Sequence, residues 1–454
     1  VSTWEQDRRL DERQKTSLLA KMRTSCAPAP RMAPEARYDV SFETLSAYRE
    51  FDLQRAFGEA LGLSNPFYRL HEERAGARSR IAGREVINFA SYDYLGLNGR
   101  PEIEAAVADA TRRWGTSVSA SRVTAGERPF HKALEEEIAA LYDTESALAF
   151  VGGHATAVST ISALMGPRDL ILLDELSHNS LILGAQLSGA TRRLFRHNDL
   201  SALEDQLAAT RDRHSRALIV TEGLFSMDGD APDLSRLIEI KRRWGCWLMM
   251  DEAHALGVMG ATGRGSHEHF GVDPDGVDIW YGTLSKTLVS CGGYIAGRRA
   301  LIDFLRFAAQ GMVYTAGMTP QATEAARVAI GLMRDEPELV ARLRDNSRLF
   351  GERANAAGLD IGSSQGFAVA PVVVGDSLRT VVLAERLLKR GINAFPIIPP
   401  AVPEQSARLR FFLSAQHSRD DIERTVATLA EELRRLDADG VSVASAARAF
   451  MGGG

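Results

Sequence analysis

Six short runs of almost unbroken apolar residues constrain this chain more than anything else in it. They are Ala147–Val151, Leu170–Leu173, Ala217–Thr221, Trp247–Asp251, Ile279–Gly282 and Tyr294–Ala296. A strand that shows no polar alternation is buried on both faces, and strands of that kind pair in parallel through crossover helices. Helical spacing is visible between several of them, at Ala155–Met165, Leu200–Ala209 and Leu234–Trp244. The pattern predicts an α/β fold with a mostly parallel sheet covered on both sides. Past about Arg342 it changes to a helix, a strand at Ala368–Val374, a helix at Leu378–Arg390, strands near Ile392–Ile398 and Leu409–Leu413, and a helix from Asp420 to about Leu436. That is an α+β region.

The ends differ from this middle. The first residues are charged with sparse leucines at Leu10, Leu18 and Leu19, and a proline-bearing segment (CAPAPRMAPEARYD) follows that cannot continue a helix. The expected organisation is an extension or linker helix at 1–45, an arm at 46–100, a large domain at 101–341, a small α+β domain at 342–438 and a frayed tail at 439–454. Lys and Arg total 54 against 59 Asp and Glu, a net charge of −5. That gives no electrostatic reason to expect nucleic acid or an anionic membrane as partner. Apolar stretches such as Trp247–Met250 fall far short of the ~20 residues a bilayer requires. Cys26, Cys246 and Cys291 are too few and too far apart for a disulfide framework or a zinc site. No metal is expected, and the expected compartment is the cytoplasm.

Chemistry concentrates in four segments. In DIWYGTLSKTL a strand breaks into a small-residue turn and presents Lys286. Such a lysine is either solvated surface or, between two apolar segments, a buried amine with a lowered pKa and nucleophilic character. The run Trp247–Met250 ends in DEAH, so Asp251 closes a strand where parallel sheets bind ligands. A helicase would use the same four letters, but the chain contains no G-x-x-x-x-G-K-[ST] phosphate loop. In VGGHATAVSTI, glycines lead from a strand directly into a helix whose first N–H groups suit an anion. DELSHNS places His178 after another strand, either as a helix cap or as a ligand-facing ring. A phosphate cradle, a carboxylate for a ring nitrogen, imidazoles and an amine together describe a pyridoxal 5′-phosphate (PLP) site.

The segments NFASYDYLGL, GTSVSASRVTAGERPFHKALE, EGLFSMDGD, DEAHALGVMGATGRG, GTLSK and RLRFFLSAQH occur in that order. On them the chain resembles the α-oxoamine synthases, a family of fold-type I (aspartate aminotransferase-like) PLP enzymes that includes 8-amino-7-oxononanoate synthase and serine palmitoyltransferase. The resemblance covers roughly residues 65–436. It implies that Gly153 and His154 lie in the phosphate turn and that His178 stacks on the pyridine ring. Ser226 and His254 would lie around the cofactor's phenolic oxygen. Asp251 would pair with the ring nitrogen, Thr283 with the phosphate, and Lys286 would carry the cofactor. Arg410 would grip the amino-acid carboxylate, with Asp93 also on the substrate side. Tyr314 and Thr315 resemble a segment that reaches the phosphate of a neighbouring subunit, which implies a homodimer.

The implied reaction is decarboxylative condensation of glycine, alanine or serine with an acyl thioester, on coenzyme A or a carrier protein, to give an α-aminoketone. A transaminase or aldolase-type reaction on the same scaffold is the alternative. The chain departs from the family at Tyr92-Asp93, which is closer to the serine palmitoyltransferase form, at TLVSCGG after Lys286, and at Ser117 and Ser119 in place of glycines. SNPFYRLHEE, GTSVSASRVTAGE and CGGYIAG resemble modules associated with polyketide assembly lines. An acidic carrier would then dock on arginines such as Arg80, Arg84, Arg298, Arg299 and Arg306, which otherwise are ordinary solvated surface or bind the coenzyme A phosphates.

Overall fold

The computed structural model describes residues 16–17, 20–21 and 41–445. The expected N-terminal helix therefore lies outside the described residues except for 16–17 and 20–21, which are helical, and so does the end of the tail from 446 on.

The six apolar runs form six strands of one seven-stranded sheet. In chain order its strands are β3 (Ser146–Phe150), β4 (Leu170–Asp174), β5 (Thr191–Phe195), β6 (Ala217–Glu222), β7 (Trp247–Asp251), β8 (Ile279–Thr283) and β9 (Gly293–Gly297), after a hairpin of β1 (Arg78–Ile81) and β2 (Arg84–Asn88). Their spatial order is β3-β9-β8-β7-β6-β4-β5, and β9 alone runs antiparallel to its neighbours. Alternate residues of one strand feed opposite cores, as period-two geometry requires. Leu170, Leu172, Leu248 and Met250 pack on one face, while Ile171, Leu173 and Met249 pack on the other. Away from the edge strand β5 neither face meets water, which is why the inner strands lack polar alternation.

The crossover helices start and stop on identifiable signals. Leu234–Trp244 is capped by Asp233, whose carboxylate accepts from Arg236 N at 3.0 Å, a contact worth about 1 kcal/mol. Lys241, Arg242 and Arg243 occupy its last turn, where the helix dipole favours positive charge, and Gly245 ends it at φ 59°.

Three later strands, β10 (Val369–Gly375), β12 (Phe395–Ile397) and β13 (Ala407–Phe412), form an antiparallel sheet in the order β10-β13-β12. Between them the two-residue β11 (Ile392–Asn393) turns away and pairs in parallel with β2. The stretch expected as one strand near Ile392–Ile398 thus serves two sheets. Residues following β2 then run beside the end of β13, with Phe412 N donating to Phe89 O at 2.8 Å and Ala415 N to Tyr94 O at 2.7 Å.

Candidate active site

Four adjacent parallel strands end in buried polar side chains: Asp174 on β4, Glu222 on β6, Asp251 on β7 and Thr283 on β8. Beyond such carboxyl ends lies the crevice in which parallel sheets hold ligands. Lys286 follows three residues after Thr283, with its Nζ 5.6 Å from the ring centre of Tyr92. Register places Glu222 directly beside Asp251.

The segment after β2 closes the crevice with aromatic side chains. Tyr94 O–H meets His254 Nδ1 at 2.6 Å, and the His254 ring stacks on Phe412 at 5.7 Å between centroids and 19° between planes. Arg410 lies on β13 with its guanidinium carbon 4.4 Å above the Phe412 ring. Its Nη1 donates to Ser226 O at 3.1 Å and lies 3.3 Å from Met227 Sδ, while its Nε is buried without a partner.

Burial shifts several titratable groups here. It pushes the Lys286 ammonium down to about 8, against the pull of the Asp251 and Glu222 carboxylates. It raises Asp251, which Lys286 partly opposes, and it raises Glu222 further because Asp251 stands beside it. Burial, with help from Lys286, lowers His254 well below the usual imidazole range, and partial burial beside Lys286 and His154 lowers His178, which still meets solvent, to about 4. Both rings are therefore neutral at pH 7.

The helix Gly153–Leu164 begins beside Thr283. A Cβ on Gly153 would come within 2.9 Å of Thr283 Oγ1, and one on Gly293 within 2.7 Å of Gly153 Cα, so both glycines are required for this close approach. The Thr283 hydroxyl lies 2.8 Å from Ser285 Oγ. Free N–H groups at the helix start beside two hydroxyls suit a phosphate. Asp251 accepts from Ala253 N at 2.8 Å and pairs with no cation among the described residues, so a protonated ring nitrogen would satisfy it. These residues fit PLP.

Of the residues expected from sequence, Lys286, Asp251, His254, Thr283, Gly153, Ser226 and Arg410 converge on this crevice. His154 is exposed at the same helix start. His178 caps its own helix, its Nδ1 2.8 Å from Ser180 Oγ, and its backbone N–H donates to Glu222 Oε1 at 2.7 Å. Asp93 is placed differently: its carboxylate accepts from Leu97 N and Asn98 N at 2.7 and 3.1 Å, so it shapes its own turn while neighbouring Tyr92 faces Lys286. Thr315 donates to Gly311 O at 2.9 Å, and Tyr314 beside it is 82% exposed. The sequence reading assigned no site role to Glu222, Tyr92, Tyr94 or Phe412. The available signal was the end of an apolar strand for Glu222 and the aromatic pair flanking Asp93 for the tyrosines.

Residues 84–429 match the family model for aminotransferase class I and II. The chain is 38% identical over 375 residues to the 8-amino-7-oxononanoate synthase of Symbiobacterium thermophilum, covering 83% of this chain and 95% of that one. It is 39% identical over 392 residues to that of Methylococcus capsulatus, covering 86% and 98%. Among solved structures, the serine palmitoyltransferase of Sphingomonas wittichii superposes with a TM-score of 0.83 at 30% identity, covering 88% of this chain and 99% of that one. These similarities lend no support to the polyketide association. The chain belongs to the aminotransferase class I and II family and, within it, to the α-oxoamine synthases, PLP-dependent acyltransferases that condense an amino acid with an acyl thioester.

Proposed function

We propose that the crevice holds PLP on Lys286 and joins glycine, L-alanine or L-serine to an acyl group delivered on coenzyme A, with release of carbon dioxide and free thiol. The observation that carries this reading is Arg410. A guanidinium only 8% exposed, with its Nε unpartnered and no carboxylate pairing with it among the described residues, calls for an anionic ligand. The amino acid's carboxylate is such a ligand, within reach of an amine held near neutral.

When bound, PLP supplies an electrophilic carbon and an electron-accepting ring. The chain supplies the rest. Asp251 holds a proton at the ring nitrogen, where burial makes an unpaired carboxylate costly. The N–H groups at the start of Gly153–Leu164, with Thr283 and Ser285, bind the phosphate, and the neutral His178 ring covers one face. Tyr94 donates to His254 Nδ1, which leaves Nε2–H free to face the phenolic oxygen beside Ser226. Arg410 orients the amino-acid carboxylate. Lys286 Nζ, freed when the amino acid's amine takes its place on the cofactor, would remove the Cα proton; Cα then attacks the thioester carbonyl, the C–S bond breaks, and sulfur leaves as thiolate, which takes a proton from water. The carboxylate departs as carbon dioxide, and Lys286 returns the proton to Cα.

Two finer points belong to the same proposal. Exposed Tyr314 and Phe307, at 82% and 79%, favour a homodimer in which Thr315 approaches the partner's phosphate turn. Coenzyme A is favoured over a carrier protein because three of the five expected docking arginines are engaged at home. Arg80 pairs with Glu73 at 2.8 Å, Arg306 with Glu135 at 2.6 Å, and Arg299 Nη2 with Glu145 O at 3.2 Å. Free cysteines at Cys246 and Cys291 suit the reducing cytoplasm. The test supplies each amino acid with one acyl group on coenzyme A and on a carrier protein. Equal release of carbon dioxide and thiol is expected; exchange of amino groups without either product would overturn the reading.

A further inference from the structure

Two residues past the end of β5, His197 lies outside the cofactor crevice and is absent from the roles above. Its ring bridges two carboxylates: Nδ1 lies 2.9 Å from Asp174 Oδ1 and Nε2 lies 2.9 Å from Asp230 Oδ2. An imidazole can donate from both nitrogens only when it is protonated. Phe225 packs edge-on against the ring at 4.4 Å.

Each carboxylate also organises one of two turns. Asp174 accepts from Leu176 N at 2.9 Å and Asn198 N at 2.8 Å, shaping the turn that leads to His178. Asp230 accepts from Asn198 Nδ2 at 3.0 Å, and its backbone oxygen accepts from Phe225 N at 2.9 Å, closing the turn that carries Ser226. We propose that His197 is a positioning residue, a charged clasp that holds the His178 turn against the Ser226 turn and so sets the geometry of the cofactor slot between them. This rests on the reading above that His178 and Ser226 border PLP.

The groups facing His197 are Asp174 on β4, Asp230 in the turn after β6, and Glu175, whose carboxylate accepts the His197 backbone N–H at 3.1 Å. Burial opposes the ring's charge, but the two aspartates outweigh it and raise its pKa to about 10. The folded value lies above the ordinary one near 6.5, so the clasp's contribution is fully present below about pH 6.5 and is lost as pH rises through about 10.

The test measures PLP affinity, the visible circular dichroism of bound PLP and thermal stability in the full chain with His197→Gln, Asp230→Asn, both together, and His178→Ala. His197→Gln is expected to weaken PLP binding about tenfold and to diminish the dichroism band. The double variant should be no worse than His197→Gln alone. The unsubstituted protein should show an alkaline step in its dichroism near pH 10 that His197→Gln lacks. If His197→Gln does not fold, Asp230→Asn carries the same expectation with a neutral group of the same shape. A lower melting temperature with unchanged affinity, dichroism and pH profile would overturn the clasp. If His178→Ala also leaves the dichroism unchanged, the placement of His178 beside PLP fails as well, whereas a change there alone isolates the failure to His197.

Discussion

Two charge clusters in this chain, one built around the buried pair Arg122 and Glu135 and one at the crevice, have the same composition, two bases and two acids, and opposite organisation. In the first, Arg122 binds Glu127 at 2.7 and 2.8 Å and Glu135 at 2.6 Å, and Glu135 in turn takes Arg306 at 2.6 Å and Ala149 N at 3.0 Å. Each charge meets an opposite one, and the cluster locks helix Pro129–Leu141 onto β3. In the second, Lys286, Arg410, Glu222 and Asp251 are gathered around one crevice, yet no ion pair joins them among the described residues. Their pKa values are displaced toward the uncharged forms. A closed network is structural, whereas charges kept apart at a strand-end crevice are available to a ligand.

Removing a member of each cluster sharpens the contrast. Glu135→Ala leaves Arg122 buried with one of its two carboxylate partners gone, so unfolding by urea should show a loss of about 3–5 kcal/mol. PLP binding per folded molecule should be unchanged. Arg410→Ala removes a group that is already short of partners, so the ligand-free protein should keep its stability or gain slightly. Its cost should appear as amino-acid affinity in a spectral titration, weaker by about 10- to 100-fold, the equivalent of ~1.5–3 kcal/mol. Equal destabilisation by the two substitutions would erase the distinction.

The smallest effect is one of pH. An amine attacks only when deprotonated, and Lys286 is held down to about 8 instead of the ordinary 10.5. Uptake of PLP by cofactor-free protein should therefore accelerate as pH rises toward about 8 and level off above it. A rate that keeps climbing toward 10.5 would identify an exposed lysine as the acceptor.

The difference between the clusters was only partly legible in the sequence. β4, β6, β7 and β8 could be read directly, because burial on both faces leaves an unbroken apolar run, and the residues at or just past their ends were natural candidates. Thr191–Phe195 could not, since this edge strand exposes its first four residues and contains two arginines. The hairpin of β1 and β2 was hidden for the same reason: its short strands carry exposed Arg78, Arg84 and Glu85. Glu222 was visible as a letter in its segment, but its proximity to Asp251 follows from strand register. The choice of Asp93 over its tyrosine neighbours shows the same limit. Adjacent residues point in different directions, and only the path of the chain beside β13 brings Tyr92 and Tyr94 to the crevice.

The central claim is that the unpaired charges around β7 and β8 form the PLP site, with Lys286 as its tether. Borohydride reduction of the PLP-loaded protein, followed by peptide mapping, tests it most directly. The account predicts one stable pyridoxyl adduct, on Lys286 in the segment GTLSK. An adduct on any other lysine, with Lys286 recovered unmodified, would contradict it.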